Sequence, residues 1–330
     1  MSETPGSPAI SVVLPTTSDF ASIATTVRYL RRQTIARRIE LVIVAMARPD
    51  LVPDASACEG FHAVQVVHTG RRSHGHACAA GVRAARADVV VFAEDHCFPE
   101  PAWAEALLSA YVSPGIAAVG PVFRNANPAT TVSWCDFVIG YGPWIDPDAA
   151  GDQPFLAGHN SSYRRDVLLA LGDGLAGSLE SETVLHLALR SEGRRLVLEP
   201  RARAAHTNFG RFAVWLPVQY HCGRVFASER ARRWGRPRRL FYAAASPLIP
   251  CVRLLRAARQ LRGSPEQRPS LLRLLPVLML GLVADGLGQM IGYAAGGGGS
   301  AGHLTAYEFR RVDFVPESDR RLWQEAGARG

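Results

Sequence analysis

The sequence contains no lysine: all 37 of its basic residues are arginines, set against 29 acidic ones for a net +8. Six cysteines (Cys58, Cys78, Cys97, Cys135, Cys222 and Cys251) are scattered without a CxxC pair. That spacing excludes a disulfide framework and points to a reducing, cytoplasmic compartment. The segment through Ser7 has neither the basic start nor the apolar run of a signal peptide. No internal repeat is present. A uniform apolar run of about 20 residues, the length that crosses a bilayer, is also missing. Residues 274–284 are strongly apolar but are bounded or broken by Arg273, Pro276 and Asp285, and 242–255 are broken by Pro247, Pro250 and Arg253.

What is present is an ordinary globular composition, 48% hydrophobic over 330 residues, enough for one large core with an appendage. The charge is unevenly placed. Residues 206–275 hold 14 arginines against two acids, a net +12, whereas 1–205 carry −3 and 276–330 carry −1. A positive stripe of this kind suits phosphates. No aromatic-interleaved or known nucleic-acid motif accompanies it, so nucleic acid is not expected. Arginines beside broken apolar helices instead fit an anionic membrane surface at the cytoplasmic face, bound peripherally or by shallow insertion.

Short apolar runs predict strands at 10–14, 39–44, 63–67, 89–92, 116–119 and 196–198, with helices at 20–33, 76–86, 102–111, 165–171 and 182–191 between them. Continuous apolar strands alternating with helices imply an α/β, Rossmann-like, mostly parallel sheet flanked by helices. Ligands of such sheets lie beyond the carboxyl ends of the strands. The boundaries read as a disordered 1–8, a catalytic domain over 9–210, a basic and apolar helical membrane-associated region over 211–295, and a Gly-rich linker with a polar tail over 296–330.

Three polar side chains, Glu94, Asp95 and His96, directly follow the buried strand Val89-Val90-Val91-Phe92. A carboxylate and an imidazole two residues apart can face one divalent cation; the same residues can also be an acidic turn before the next helix. His206 is a further candidate ligand. Glu182 opens an amphipathic helix, where acids favour the helix dipole or act as a general base; Glu180 is its rival. His68, His74 and His76 lack zinc spacing and read as a solvated loop, and Arg71 and Arg72 in that loop are candidates for phosphate contact.

Taken in order, several segments resemble the family 2 glycosyltransferases, and bacterial members with a C-terminal membrane-associated region in particular. They are Ile10 to Thr16, Asp88 to His96, Pro99 to Trp103, Gly158 to Arg165, Ser181 to Leu185, and Pro200 to His206. The resemblance implies a GT-A fold, a nucleotide-diphosphate sugar donor, a Mn²⁺ or Mg²⁺ cofactor at Glu94, Asp95 and His96 with His206 as a further ligand, and Glu182 as the base. It also implies donor contacts at Pro15, Thr16, Arg72, Asp95 and Asn160. The strand 40–44 leads in this family to an acidic residue for the base; Ala45 and Met46 stand there, so Asp50 or backbone groups would substitute. The expected reaction is an inverting transfer to a hydroxyl of a lipid-linked glycan or cell-surface polysaccharide. A catalytically inactive membrane scaffold of the same fold is the alternative, and a nucleotidyltransferase a weaker one, since Pro15 to Asp19 is no Gly-rich phosphate loop.

Overall fold

A computed structural model describes residues 6–70, 73–145, 151–180, 182–261, 269–308 and 311–328. In chain order the elements are β1 (Ile10–Thr16), α1 (Phe20–Arg31), β2 (Ile39–Ala45), α2 (Ala55–Cys58), β3 (Ala63–His68), α3 (His74–Ala84), β4 (Val89–Phe92), β5 (Cys97–Pro99), α4 (Trp103–Ser109) and β6 (Ile116–Asn125). They continue with α5 (Thr131–Tyr141), β7 (Gly151–Asp152), β8 (Ser162–Arg164), α6 (Arg165–Leu169), α7 (Leu175–Ser178), α8 (Glu182–Ser191) and β9 (Arg195–His206). The last six are helices: α9 (Phe212–Arg230), α10 (Arg236–Ala245), α11 (Ile249–Leu261), α12 (Leu271–Ala295), α13 (Ser300–Glu308) and α14 (Glu317–Ala328); a 3-10 turn, Ser246–Leu248, joins α10 to α11.

The chain forms two compact units. The first comprises Met1–Arg124, Asp146–His206 and Leu322–Gly330. Its sheet runs β3-β2-β1-β4-β8-β6-β9-β5, with β7 added on β9. Strands β3, β2, β1 and β4 are parallel, as their continuous apolar composition requires, and the pairs β4–β8, β6–β8, β5–β9 and β7–β9 are antiparallel. The sheet is thus mixed, with helices against it, in the α/β class. All seven residues of β1 and all seven of β2 are buried. That includes Glu40, whose carboxylate accepts from Ser11 Oγ at 2.5 Å, from Arg86 N at 2.7 Å and Nε at 2.5 Å, and from Gln65 Nε2 at 3.1 Å. Burial works to raise its pKa, but the bonds from Ser11 and Arg86 outweigh it and hold the group below the usual range.

The second unit comprises Asn125–Ile145 and Thr207–Arg321. Its axis is the α9–α12 pair. A Cβ at Gly288 of α12 would lie 2.0 Å from Tyr220 O of α9, so only glycine permits this approach. Asp136 of α5, buried, accepts from Phe209 N at 2.9 Å, Trp215 Nε1 at 3.0 Å and Gln219 Nε2 at 3.1 Å, which ties the helix of 131–141 into this unit rather than the first. Asp285 on α12 pairs with Arg253 of α11 at 2.6 Å and accepts from Gln289 Nε2 at 3.0 Å. The stretch expected to be a polar tail is largely helical, in α13 and α14. Residues 1–5 of the segment expected to be disordered lie outside the described residues.

Candidate active site

Glu94 reaches its place because β4 is buried throughout and its pairing with β1 continues one residue further, Ala93 N donating to Val13 O at 2.9 Å. Thr26 Oγ1 of α1 holds the Glu94 carbonyl at 3.0 Å. The chain then turns into β5, whose antiparallel register on β9 sets Cys97 opposite His206. Three residues far apart in sequence therefore converge: ligand atoms of Glu94, His96 and His206 lie within 4.8 Å of one another, all buried. His96 Nε2 is 3.6 Å from Glu94 Oε1 and His206 Nε2 is 3.7 Å from Glu94 Oε2. The two imidazoles meet edge to face, 4.9 Å apart.

Asp95 stands one step behind this trio. Its Oδ1 accepts from His96 Nδ1 at 2.7 Å, which leaves Nε2 as the lone-pair nitrogen of the neutral ring. A carboxylate behind a ligating histidine fixes tautomer and ring orientation. One carboxylate and two imidazoles, buried and converging, fit a divalent cation that accepts nitrogen as well as oxygen.

The opposite wall comes from the loop before β8. Asn160 is the one non-glycine residue among those described with a positive φ, 59°, a left-handed conformation that asparagine tolerates better than most. Its backbone N donates to Phe92 O at 2.6 Å and its Nδ2 to Glu94 Oε2 at 3.2 Å. Backbone strain here is matched by a bond to the end of β4 and another to the Glu94 carboxylate.

Beside it His159 places Nδ1 3.1 Å from Glu94 Oε1 and Nε2 3.7 Å from Glu182 Oε1. The imidazole spans the gap between the buried trio and the first residue of α8. Glu182 is 27% exposed, open enough to meet an incoming group. It packs on Gly158, where a Cβ would sit 1.9 Å from its Cγ.

Glu180 does something else. Its Oε1 accepts from Gly75 N at 3.0 Å in the first turn of α3, satisfying a donor the helix leaves open. His74 and His76 are held locally, to Cys78 Sγ at 3.3 Å and Ser73 Oγ at 2.7 Å. Pro15 and Thr16 are buried at the end of β1, Thr16 Oγ1 accepting from Ser18 N at 3.1 Å. Asp50 lies exposed after β2, held by Arg48 through two bonds of 3.0 Å; that hydrogen-bonded guanidinium keeps its carboxyl below the ordinary range. Arg71, Arg72 and Ser181 lie outside the described residues.

His159 went without a role in the sequence. Its signal was its place beside Asn160 in Gly158-His159-Asn160. His186, one turn along α8 from Glu182, is fully buried between Tyr163 Oη, 2.9 Å from Nε2, and Leu156 N, 3.5 Å from Nδ1. Burial pushes its pKa down to about 4, so it is neutral and structural.

Residues 11–172 match the family model for glycosyl transferase family 2. That stretch includes Glu94, Asp95, His96 and Asn160 and stops short of Glu182 and His206. No curated protein matches the chain significantly. Among solved structures, GalNAc-T7 with UDP, GalNAc and Mn²⁺ is 15% identical at a TM-score of 0.44, over 60% of this chain and 43% of that one. The mannosyltransferase PcManGT from Pyrobaculum calidifontis, in complex with GDP-Man and Mn²⁺, is 18% identical at a TM-score of 0.43, over 98% of this chain and 86% of that one. The chain thus spans less than half the length of the first of these.

Proposed function

Residues 11–172 belong to glycosyl transferase family 2, and from that premise we propose that the protein moves a sugar from a nucleotide-diphosphate donor to a hydroxyl acceptor by a single, inverting displacement. The observation that carries this reading is the convergence of Glu94, His96 and His206 at the carboxyl edge of the sheet, with Glu182 reached from it through His159. Glu94, His96 and His206 would hold the cation. Bound there, Mn²⁺ or Mg²⁺ would neutralise the departing diphosphate, and two imidazole donors favour Mn²⁺.

The remaining work belongs to the chain. Asp95 orients His96, and Asn160 orients Glu94. Pro15, Thr16, Asn160, Asp95 and Arg72 form the donor side; Asp50 would leave Arg48 to meet the base. Glu182 takes the proton of the acceptor hydroxyl as that oxygen bonds to the anomeric carbon, and the bond to the diphosphate breaks with its electron pair leaving on the phosphate oxygen. The acceptor is a lipid-linked glycan or a cell-surface polysaccharide at the cytoplasmic face of an anionic membrane. Support for that location is the +12 segment and two apolar helical stretches beside it, Arg236–Leu261 and Leu271–Ala295.

The test is a screen of nucleotide-sugar turnover with Mn²⁺ and Mg²⁺. Glu94→Ala and His96→Ala are each expected to lower turnover by about 100-fold or more; full turnover by both variants at saturating metal sinks the assignment. A second reading, a scaffold of the same fold without donor binding, is favoured by the buried Ala45 and Met46 where a base-binding acid is expected. Calorimetry with UDP- and GDP-sugars separates the two, since the scaffold gives no metal-dependent heat.

A further inference from the structure

The second unit carries most of the large apolar side chains that remain exposed. Phe241 of α10, Leu255 of α11 and Leu248 before it are 68%, 62% and 65% exposed. On α12, Leu272, Leu280 and Leu287 are 80%, 52% and 48% exposed and recur at a spacing that sets them along one side of the helix. Leu274, Leu278, Asp285 and Gly292 occupy the buried side. Large exposed apolar surface of this kind marks an interaction site.

Its chemistry is set by the charges around it. Arg236, Arg238 and Arg239 precede the exposed residues of α10, Arg253 and Arg256 flank Leu255 of α11 with Arg259 beyond, and Arg273 lies in the first turn of α12. Within 206–275 only two acids oppose 14 arginines. An apolar face fringed by arginine complements an anionic lipid leaflet, acyl chains below and phosphates above.

How deep the face goes follows from two lengths. Between Arg239 and Arg253 lie 13 residues without charge. As helix they reach about 20 Å, short of the roughly 30 Å of a hydrocarbon core. Residues 236–261 therefore cannot cross without drawing arginines into the lipid. Arg253, at the end of that run, belongs at headgroup depth, and it is bonded to Asp285 near the middle of α12. The pair holds the midpoint of α12 at that same depth, where a helix crossing the bilayer would have its midpoint at the centre.

We propose that α10, α11 and α12 enter only the near leaflet of an anionic bilayer, as an interfacial wedge whose depth the Arg253–Asp285 pair sets. This rests on the membrane location proposed above and adds to it a topology. The experiment uses the full chain in two measurements. In flotation, the protein is expected to rise with phosphatidylcholine vesicles containing phosphatidylglycerol and to stay behind with phosphatidylcholine alone. In the second, Cys58, Cys222 and Cys251, the cysteines that are not buried, are replaced by serine, and Ser270→Cys, at the exposed N-cap, or Ala295→Cys marks either end of α12. In sealed membrane vesicles of known orientation, an impermeant maleimide is expected to label both positions from the cytoplasmic side and neither from the other. Labelling of the two ends from opposite sides overturns the wedge while leaving membrane attachment intact. Failure to float with either lipid, or equal flotation with both, overturns the anionic membrane reading itself.

Discussion

Glycine at 158 is what lets the Glu182 carboxylate stand where it does, since a Cβ there would lie 1.9 Å from its Cγ. Gly158→Ala therefore displaces the carboxylate without altering its chemistry. Turnover is expected to fall about 100-fold with the melting temperature little changed; turnover within twofold of the parent would remove Glu182 from the role of base. Asn160 offers a second separation of effects. Asn160→Gly and Asn160→Ala both lose the bond to Glu94, but only alanine suffers the left-handed φ of 59°, so the glycine variant should be the more stable by about 1 kcal/mol and the two equally weakened in Mn²⁺ affinity. Differential scanning calorimetry and metal titration read the two quantities. At this scale the placement of Glu94, His96 and Glu182 near one another was legible in the sequence, because strand ends and helix starts deliver polar groups to predictable places. The inward placement of His159 was not, because a loop residue takes its direction from a backbone that no periodicity reports.

Among elements, α3 and α8 divide the two neighbouring carboxylates between them. Glu180 accepts a backbone donor of α3, so Glu180→Ala is expected to cost about 1 kcal/mol of stability with most turnover kept, while Glu182→Gln abolishes turnover and leaves the melting curve in place. Helix α8 also makes stability depend on pH. His186 binds its proton in the folded chain only near pH 4, against the ordinary histidine value in the unfolded one. Between about pH 6.5 and 4 the unfolded state holds more protons, so stability is complete above that window and declines as pH falls through it, by up to about 3 kcal/mol. Melting temperatures from pH 7 to 4.5 should show a flatter decline in His186→Gln, whose amide can still meet Tyr163 and Leu156. The parallel strands were readable as apolar runs, and three of them, β1, β2 and β4, are buried throughout. The three-residue β5 and β8 were not, being too short for any period, although β5 is the element that brings His96 to His206.

On the scale of the whole chain, neither unit is continuous in sequence. Residues 125–145 belong with the helices of the second unit, and the chain returns to the first at Leu322. Sequence alone read boundaries near 210 and 295, because composition changes there; the excursion at 125–145 keeps an ordinary globular composition and gives no such sign. The return is anchored by Trp323, stacked on Phe98 of β5 at 4.9 Å and 16° and near Tyr29 at 6.1 Å. Trp323→Ala should destabilise the first unit by about 2 kcal/mol and lower Mn²⁺ affinity, because Phe98 lies on the strand that follows His96. Unchanged thermal melting and metal titration would count against that coupling.

The same return has a bearing on synthesis. Domains usually fold as they leave the ribosome, the N-terminal one first. Here the first unit lacks the indole that stacks on β5 until residue 323 has emerged, after the arginine-rich helices are already out. Those helices thus stand clear of the ribosome before the first unit has finished folding.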